Sequence, residues 1–105
     1  MSEAKFDKAV AIIGALPKQG AIKPTQEDQL YFYKYFKQAK IGDNTTVRPS
    51  GYLDFAGKAK WDAWSEVKGT SKETAWKLYV DKLLEILKKV DDEESKKYIA
   101  ELEAA

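Results

Sequence analysis

From Trp76 to Val90 the apolar residues Trp76, Val80, Leu83, Leu87 and Val90 recur every three or four positions. That period belongs to one face of an α-helix, here an amphipathic stripe of about four turns. A single striped helix of this length gains its stability from packing, so the rest of the chain has to supply partners for that face. Thr70 and Glu73 spell a T-x-x-E capping box, which predicts the start of the helix there.

The partners read as helices too. Phe6, Ala9, Val10, Ile12 and Ile13 have helical spacing in a segment from about Ser2 to Leu16. Pro17, Gly20 and Pro24 then mark a loop. It is expected to tolerate shortening, because closure entropy changes slowly with loop length. Thr25, with Asp28 three residues on, predicts the cap of a second helix over about Gln26–Lys40, which Gly42, Asp43 and Asn44 end. A third helix starts near the cap Asp54, contains GKAKWDAW and stops near Gly69. After Asp91, Tyr98, Ile99 and Leu102 fit either a short fifth helix or a frayed end. No segment alternates like a strand and no repeat is visible. The expected fold is all-α, with a bundle over residues 1–90 and a helical tail over 91–105.

Composition narrows the chemistry. A chain of 105 residues with 44% hydrophobic and 33% charged residues supports one domain with one core. Histidine and cysteine are both absent. That removes the usual neutral-pH base, the Ser-His and Cys-His nucleophile pairs, thiolate chemistry and the commonest transition-metal ligands. Gly42–Asn44 lacks the ligand count of a calcium loop, so no metal site is expected. A net charge of +1 argues against nonspecific nucleic-acid binding, and any bound anion must be held by a local cluster. No apolar run approaches the roughly 20 residues of a membrane span. The opening MSEAKFDKAV lacks the layout of a secretory signal, so a cytoplasmic location is expected.

The second helix carries the functional signal. Five aromatic residues fall between Tyr31 and Phe36, in the stretch YFYKYFKQAK. At about 100° per residue, Phe32 and Phe36 share one side, Leu30, Tyr33 and Lys37 the next, and Tyr31 and Tyr35 a third. One reading is a wide core face rimmed by amphipathic tyrosines. The other puts Tyr33 and Lys37 against a ligand that has a flat ring and a negative charge. Lys58 and Lys60 are further candidate cations. Trp61 and Trp64 are expected in the core, and Tyr79 suits either core or ligand.

These residues fall into a familiar order. YKYFKQAKIGDNTTVRPSGYLDFAGKAKWDAWSEVKGTSKETAWKLYVDKL closely resembles the acyl-CoA-binding protein family, through Y-x-x-[YF]-K-Q-A-x-x-G-D, R-P, G-K-A-K-W-D-A-W and G-x-S-x-E-x-A in sequence. The resemblance implies a four-helix up-down-down-up bundle that binds medium- to long-chain acyl-CoA esters, with no catalytic residues and no cofactor. It implies that Tyr33 and Tyr79 contact the nucleotide head, that Lys37 and Lys60 bind its phosphates, and that Phe36 flanks the adenine. Lys34 joins this set, and Leu30 and Ala59 line the acyl groove. Phe36 stands where many members have a tyrosine, Ala56 where a lysine is frequent, and the loop from Pro17 to Lys23 is longer than in vertebrate-type members. The expected protein is a monomeric intracellular acyl-CoA carrier and buffer that makes transient contacts with acyl-CoA-using enzymes. A helical protein-interaction module is the alternative. A thioesterase or acyltransferase is disfavoured by the missing His and Cys.

Overall fold

The computed structural model describes residues 2–105 and contains five α-helices: α1 (Glu3–Ala15), α2 (Gln26–Lys40), α3 (Phe55–Glu66), α4 (Lys72–Val90) and α5 (Glu93–Ala104). No strand occurs among the described residues, as the all-α expectation requires. The segment after Asp91 is a formed helix rather than a frayed end.

Side-chain caps fix where the helices begin. Ser2, Thr25, Asp54, Ser71 and Asp92 each accept the backbone N–H three residues on, satisfying one of the donors that a helix start leaves unpaired. At α2 the box is reciprocal, with Asp28 also accepting from the Thr25 N–H at 3.0 Å. The Thr70–Glu73 box predicted for α4 is displaced by one residue. The Thr70 N–H donates to the Val67 carbonyl at 3.0 Å, which ties it into the turn that closes α3. Ser71 is left in extended backbone and its Oγ accepts from the Thr74 N–H at 3.1 Å. By the same turn α3 ends at Glu66, short of Gly69, which takes a positive φ of 89°.

Contacts along the helices give their directions. Phe6 stacks on Phe36, Asp7 pairs with Lys40, and Ile13 and Leu16 lie near Gln29, so α1 and α2 run antiparallel. Lys34 pairs with Glu66, and Gln38 donates to the Thr70 carbonyl, so α2 and α3 run in the same sense. Asp28 pairs with Lys82 and Phe32 packs on Tyr79, so α4 reverses again. This is the up-down-down-up arrangement. Lys5 Nζ donates to the Leu102 carbonyl at 3.2 Å, setting a cation at the negative C-terminal end of an antiparallel α5.

The main core lies around α4, which packs against α1, α2 and α5. It gathers Phe6, Ile12, Phe32, Tyr79, Val80, Leu83, Leu87 and Leu102. Ile22, in the loop after α1, is also part of it at 1% exposure. This corrects the reading of that loop as a freely shortened connection, because an isoleucine anchors it. Helix α3 stands apart: it packs on α2 and on no other helix among the described residues. A cleft therefore runs between two helices of the same sense.

Candidate functional site

Side chains of α2 and α3 converge at one end of that cleft. The half-buried Tyr33 ring has Lys37 Nζ 5.8 Å from its centroid, one turn along α2, and Lys60 Nζ 5.5 Å away from α3. Lys37 Nζ also lies 5.4 Å from the Trp64 ring. Neither lysine forms an ion pair among the described residues. Lys34, Lys40, Arg48 and Lys82 are instead engaged with Glu66, Asp7, Asp62 and Asp28. Two ammonium groups from different helices thus lie close to one aromatic ring, neither of them in an ion pair, a surface for an anion beside a flat ring.

The loop between α2 and α3 closes this end. Asn44 is buried and its Nδ2 donates to Ser65 Oγ at 3.0 Å, while its Oδ1 accepts the Thr46 N–H at 2.9 Å. The Trp61 and Trp64 indoles donate to the Thr46 and Gly42 carbonyls at 3.1 and 2.8 Å. Arg48 makes two hydrogen bonds to Asp62 and, chiefly through them, holds that carboxyl below its ordinary pKa. The Gly69 N–H, aided by Gln38, does the same for Asp43. Gly42–Asn44 therefore turns the chain, as expected, and also clamps it onto α3.

Hollows line the cleft. One of about 330 Å³ lies between Tyr33, Lys60, Trp61, Trp64 and the loop residues Thr46, Val47 and Pro49. A second, of about 180 Å³, shares Tyr33 and Lys60 with it and continues along Leu30, Ala56 and Ala59 to Gln26 and Gln29. Leu30 and Ala59 also wall a third hollow of about 260 Å³, on the side of Tyr31 and Lys34. A cationic aromatic end thus runs into a narrower wall of small and apolar side chains.

Of the residues nominated from sequence, the fold brings together Tyr33, Lys37, Lys60, Leu30 and Ala59. Lys34 lies on the Glu66 side of α2, 5.2 Å from the Tyr31 ring centroid. Phe36 is half-buried and stacks on Phe6 with ring centroids 6.4 Å apart. Tyr79 is placed in the core at 3% exposure, packed against Phe6 and Phe32, and burial pushes its phenol pKa up. It lines none of these hollows. Trp64 is buried as expected, whereas Trp61 is only half-buried and belongs to the cleft wall rather than the core. Thr46, Val47 and Pro49 also line the cleft and are not legible as such in the sequence, because a loop has no periodicity to betray which side chains turn inward.

Fold and cleft define a small all-helical binding bundle. The chain belongs to the acyl-CoA-binding protein family: the family described as Acyl CoA binding protein matches residues 3–83. Acyl-CoA-binding protein homolog 3 of Caenorhabditis elegans is 42% identical over 89 residues, covering 85% of this chain and 76% of the relative. Acyl-CoA-binding domain-containing protein 5 of Xenopus tropicalis is 42% identical over 83% of this chain, which spans only 19% of that longer protein. The crystal structure of ACBP from Moniliophthora perniciosa superposes with a TM-score of 0.97 at 71% identity, covering 100% of this chain and 98% of that one. Acyl-CoA-Binding Protein 2 of Oryza sativa gives 0.71 at 34% identity, over 83% and 91% of the two chains.

Proposed function

We propose that this protein binds medium- to long-chain acyl-CoA esters with high affinity and serves as a monomeric cytoplasmic carrier and buffer for them, without turning them over. The observation that carries this reading is the approach of Lys37 and Lys60, neither of them in an ion pair among the described residues, to the Tyr33 ring at the end of an apolar cleft. Acyl-CoA joins a multiply charged head to an apolar tail and needs both parts. A charged hydrogen bond to phosphate contributes about 1.5–3 kcal/mol, and each methylene buried against Leu30, Ala56 and Ala59 adds up to about 0.8 kcal/mol. Lys34 and Phe36 would border the head, and Tyr79 would support it from the core through Phe6 and Phe32. No cofactor is required, and delivery to acyl-CoA-using enzymes would follow by dissociation or transient contact.

Titration calorimetry with palmitoyl-CoA tests the reading. Saturable one-to-one binding with Kd below about 1 μM is expected, together with no release of free CoA thiol above the uncatalysed rate. Absence of binding overturns the assignment, and sustained thiol release from pure protein overturns the non-catalytic part of it.

A further inference from the structure

An apolar hollow of about 420 Å³ lies under the loop between α1 and α2, lined by Ile13, Leu16, Pro17, Ile22, Pro24 and Gln29. Lys18 and Lys23 complete its wall. Its volume is within the range of ligand pockets. Gln29 is also a wall of the cleft hollow that holds Leu30, Ala59 and Tyr33. This one side chain therefore stands between the two spaces. Its Nε2 donates to the Pro24 carbonyl at 3.3 Å, a tether to the same loop that roofs the second space. Gln29 is itself solvent-exposed, so it can swing out without disturbing the core. The hollows then follow one another along α2, from Trp64 and Lys60 through Tyr33 and Leu30 to Gln29 and the loop.

We infer that the hollow under residues 17–24 is an extension of the tail cleft, occupied by the far end of the longest acyl chains, with Gln29 as the partition that sets where shorter chains stop. This rests on the acyl-CoA reading above and adds to it a determinant of chain length. The occupant follows from continuity: the head is fixed at Tyr33, Lys37 and Lys60, and only a tail that outruns Leu30 and Ala59 reaches Gln29. Its walls are apolar at Ile13, Leu16, Ile22 and both prolines, the chemistry that a hydrocarbon end needs. Ile22 is packed into the core, so the roof is held open by its own anchor and need not be built by the ligand.

The test measures binding of dodecanoyl-, palmitoyl- and arachidoyl-CoA to the wild type, Gln29→Trp and Gln29→Ala. Burial of one methylene strengthens binding up to about fourfold, so affinity of the wild type should keep rising from palmitoyl to arachidoyl. Gln29→Trp, which fills the passage at an exposed helix position, should weaken arachidoyl-CoA about tenfold or more beyond any loss it causes for dodecanoyl-CoA. Gln29→Ala should preserve the arachidoyl gain. In methyl NMR spectra of the wild type, arachidoyl-CoA should shift the Ile22 and Leu16 signals and dodecanoyl-CoA should not. Equal losses for all three ligands in Gln29→Trp, or Ile22 signals indifferent to chain length, overturn the inference. So does saturation of the hollow by free palmitate, which would make it a fatty-acid site with Lys18 and Lys23 as its cations. If the wild type binds none of the CoA esters, the acyl-CoA reading itself has failed; normal palmitoyl-CoA binding with no role for Gln29 rejects this inference alone.

Discussion

Two lysines near one tyrosine matter because their neighbours are so different. The protein carries 18 basic residues, and several of the cations near α2 are already neutralised by carboxylates. Lys37 and Lys60 have no carboxylate partner among the described residues and lie near the Tyr33 ring. Each truncation to alanine should therefore weaken palmitoyl-CoA binding by about 1.5–3 kcal/mol. Chemical denaturation of both variants should stay close to wild type, since neither the exposed Lys60 nor the half-buried Lys37 forms an ion pair among the described residues. The tryptophans separate in the opposite way. Trp64→Ala should cost about 3–5 kcal/mol of fold stability as a large buried ring. Trp61→Ala should cost clearly less and act mainly on binding, because Trp61 is half-buried and walls the cleft. Comparable stability losses in the two variants would show that Trp61 is a core residue after all.

At the scale of elements, α2 is legible in the sequence through its Thr25 cap and its Gly42–Asn44 stop, and α4 through its strong apolar period. The bounds predicted for α2, Gln26–Lys40, are those observed. The start of α4 was misplaced by one residue because two hydroxyl residues, Thr70 and Ser71, compete for the cap. The tight turn after α3, not the capping motif, decides between them. Tyr33 and Lys37 could be paired from helical spacing alone. Lys60 could not, since its approach to Tyr33 depends on α2 and α3 running in the same sense. The loop between α1 and α2 is the least legible, because its buried anchor, Ile22, has no periodic partner. Its removal should be costly: Ile22→Ala should lower stability by about 2–5 kcal/mol in urea unfolding. A loss near zero would mean that the loop is a passive linker, and would weaken the case for the hollow beneath it.

For the molecule as a whole, the missing histidine gives a simple pH response. Asp28 is pushed up by burial, but hydrogen bonds from Thr25 and Lys82 leave its pKa below the ordinary value. Asp43, Asp62 and Asp92 are lowered by hydrogen bonds from Gly69, Arg48 and Ser95. A carboxylate with a depressed folded pKa stabilises the fold above its unfolded value, about 3.9, and that contribution is lost as pH falls through the folded value. Tyr79, raised by burial, works the other way: its contribution is complete below about 10 and is lost as pH rises beyond that. Thermal melting should thus be flat from about pH 5 to 9 and fall on either side. A step near pH 6.5 would contradict this, since no imidazole is present to produce it. Helix α5 packs into the same core, with Leu102 at 1% exposure.

On the proposed reading, Tyr33, Lys37 and Lys60 clamp the phosphates of the acyl-CoA head, and the 3′-phosphate is the one whose removal tests this most directly. The direct measurement compares palmitoyl-CoA with its dephospho analogue, which lacks only that phosphate, by calorimetry on the wild type, Lys37→Ala and Lys60→Ala. The wild type should bind the analogue at least about tenfold more weakly, the loss of one charged hydrogen bond or more. Both variants should be far less sensitive to the change. Equal binding of the two ligands by the wild type would contradict the account, leaving an apolar cleft with two incidental lysines.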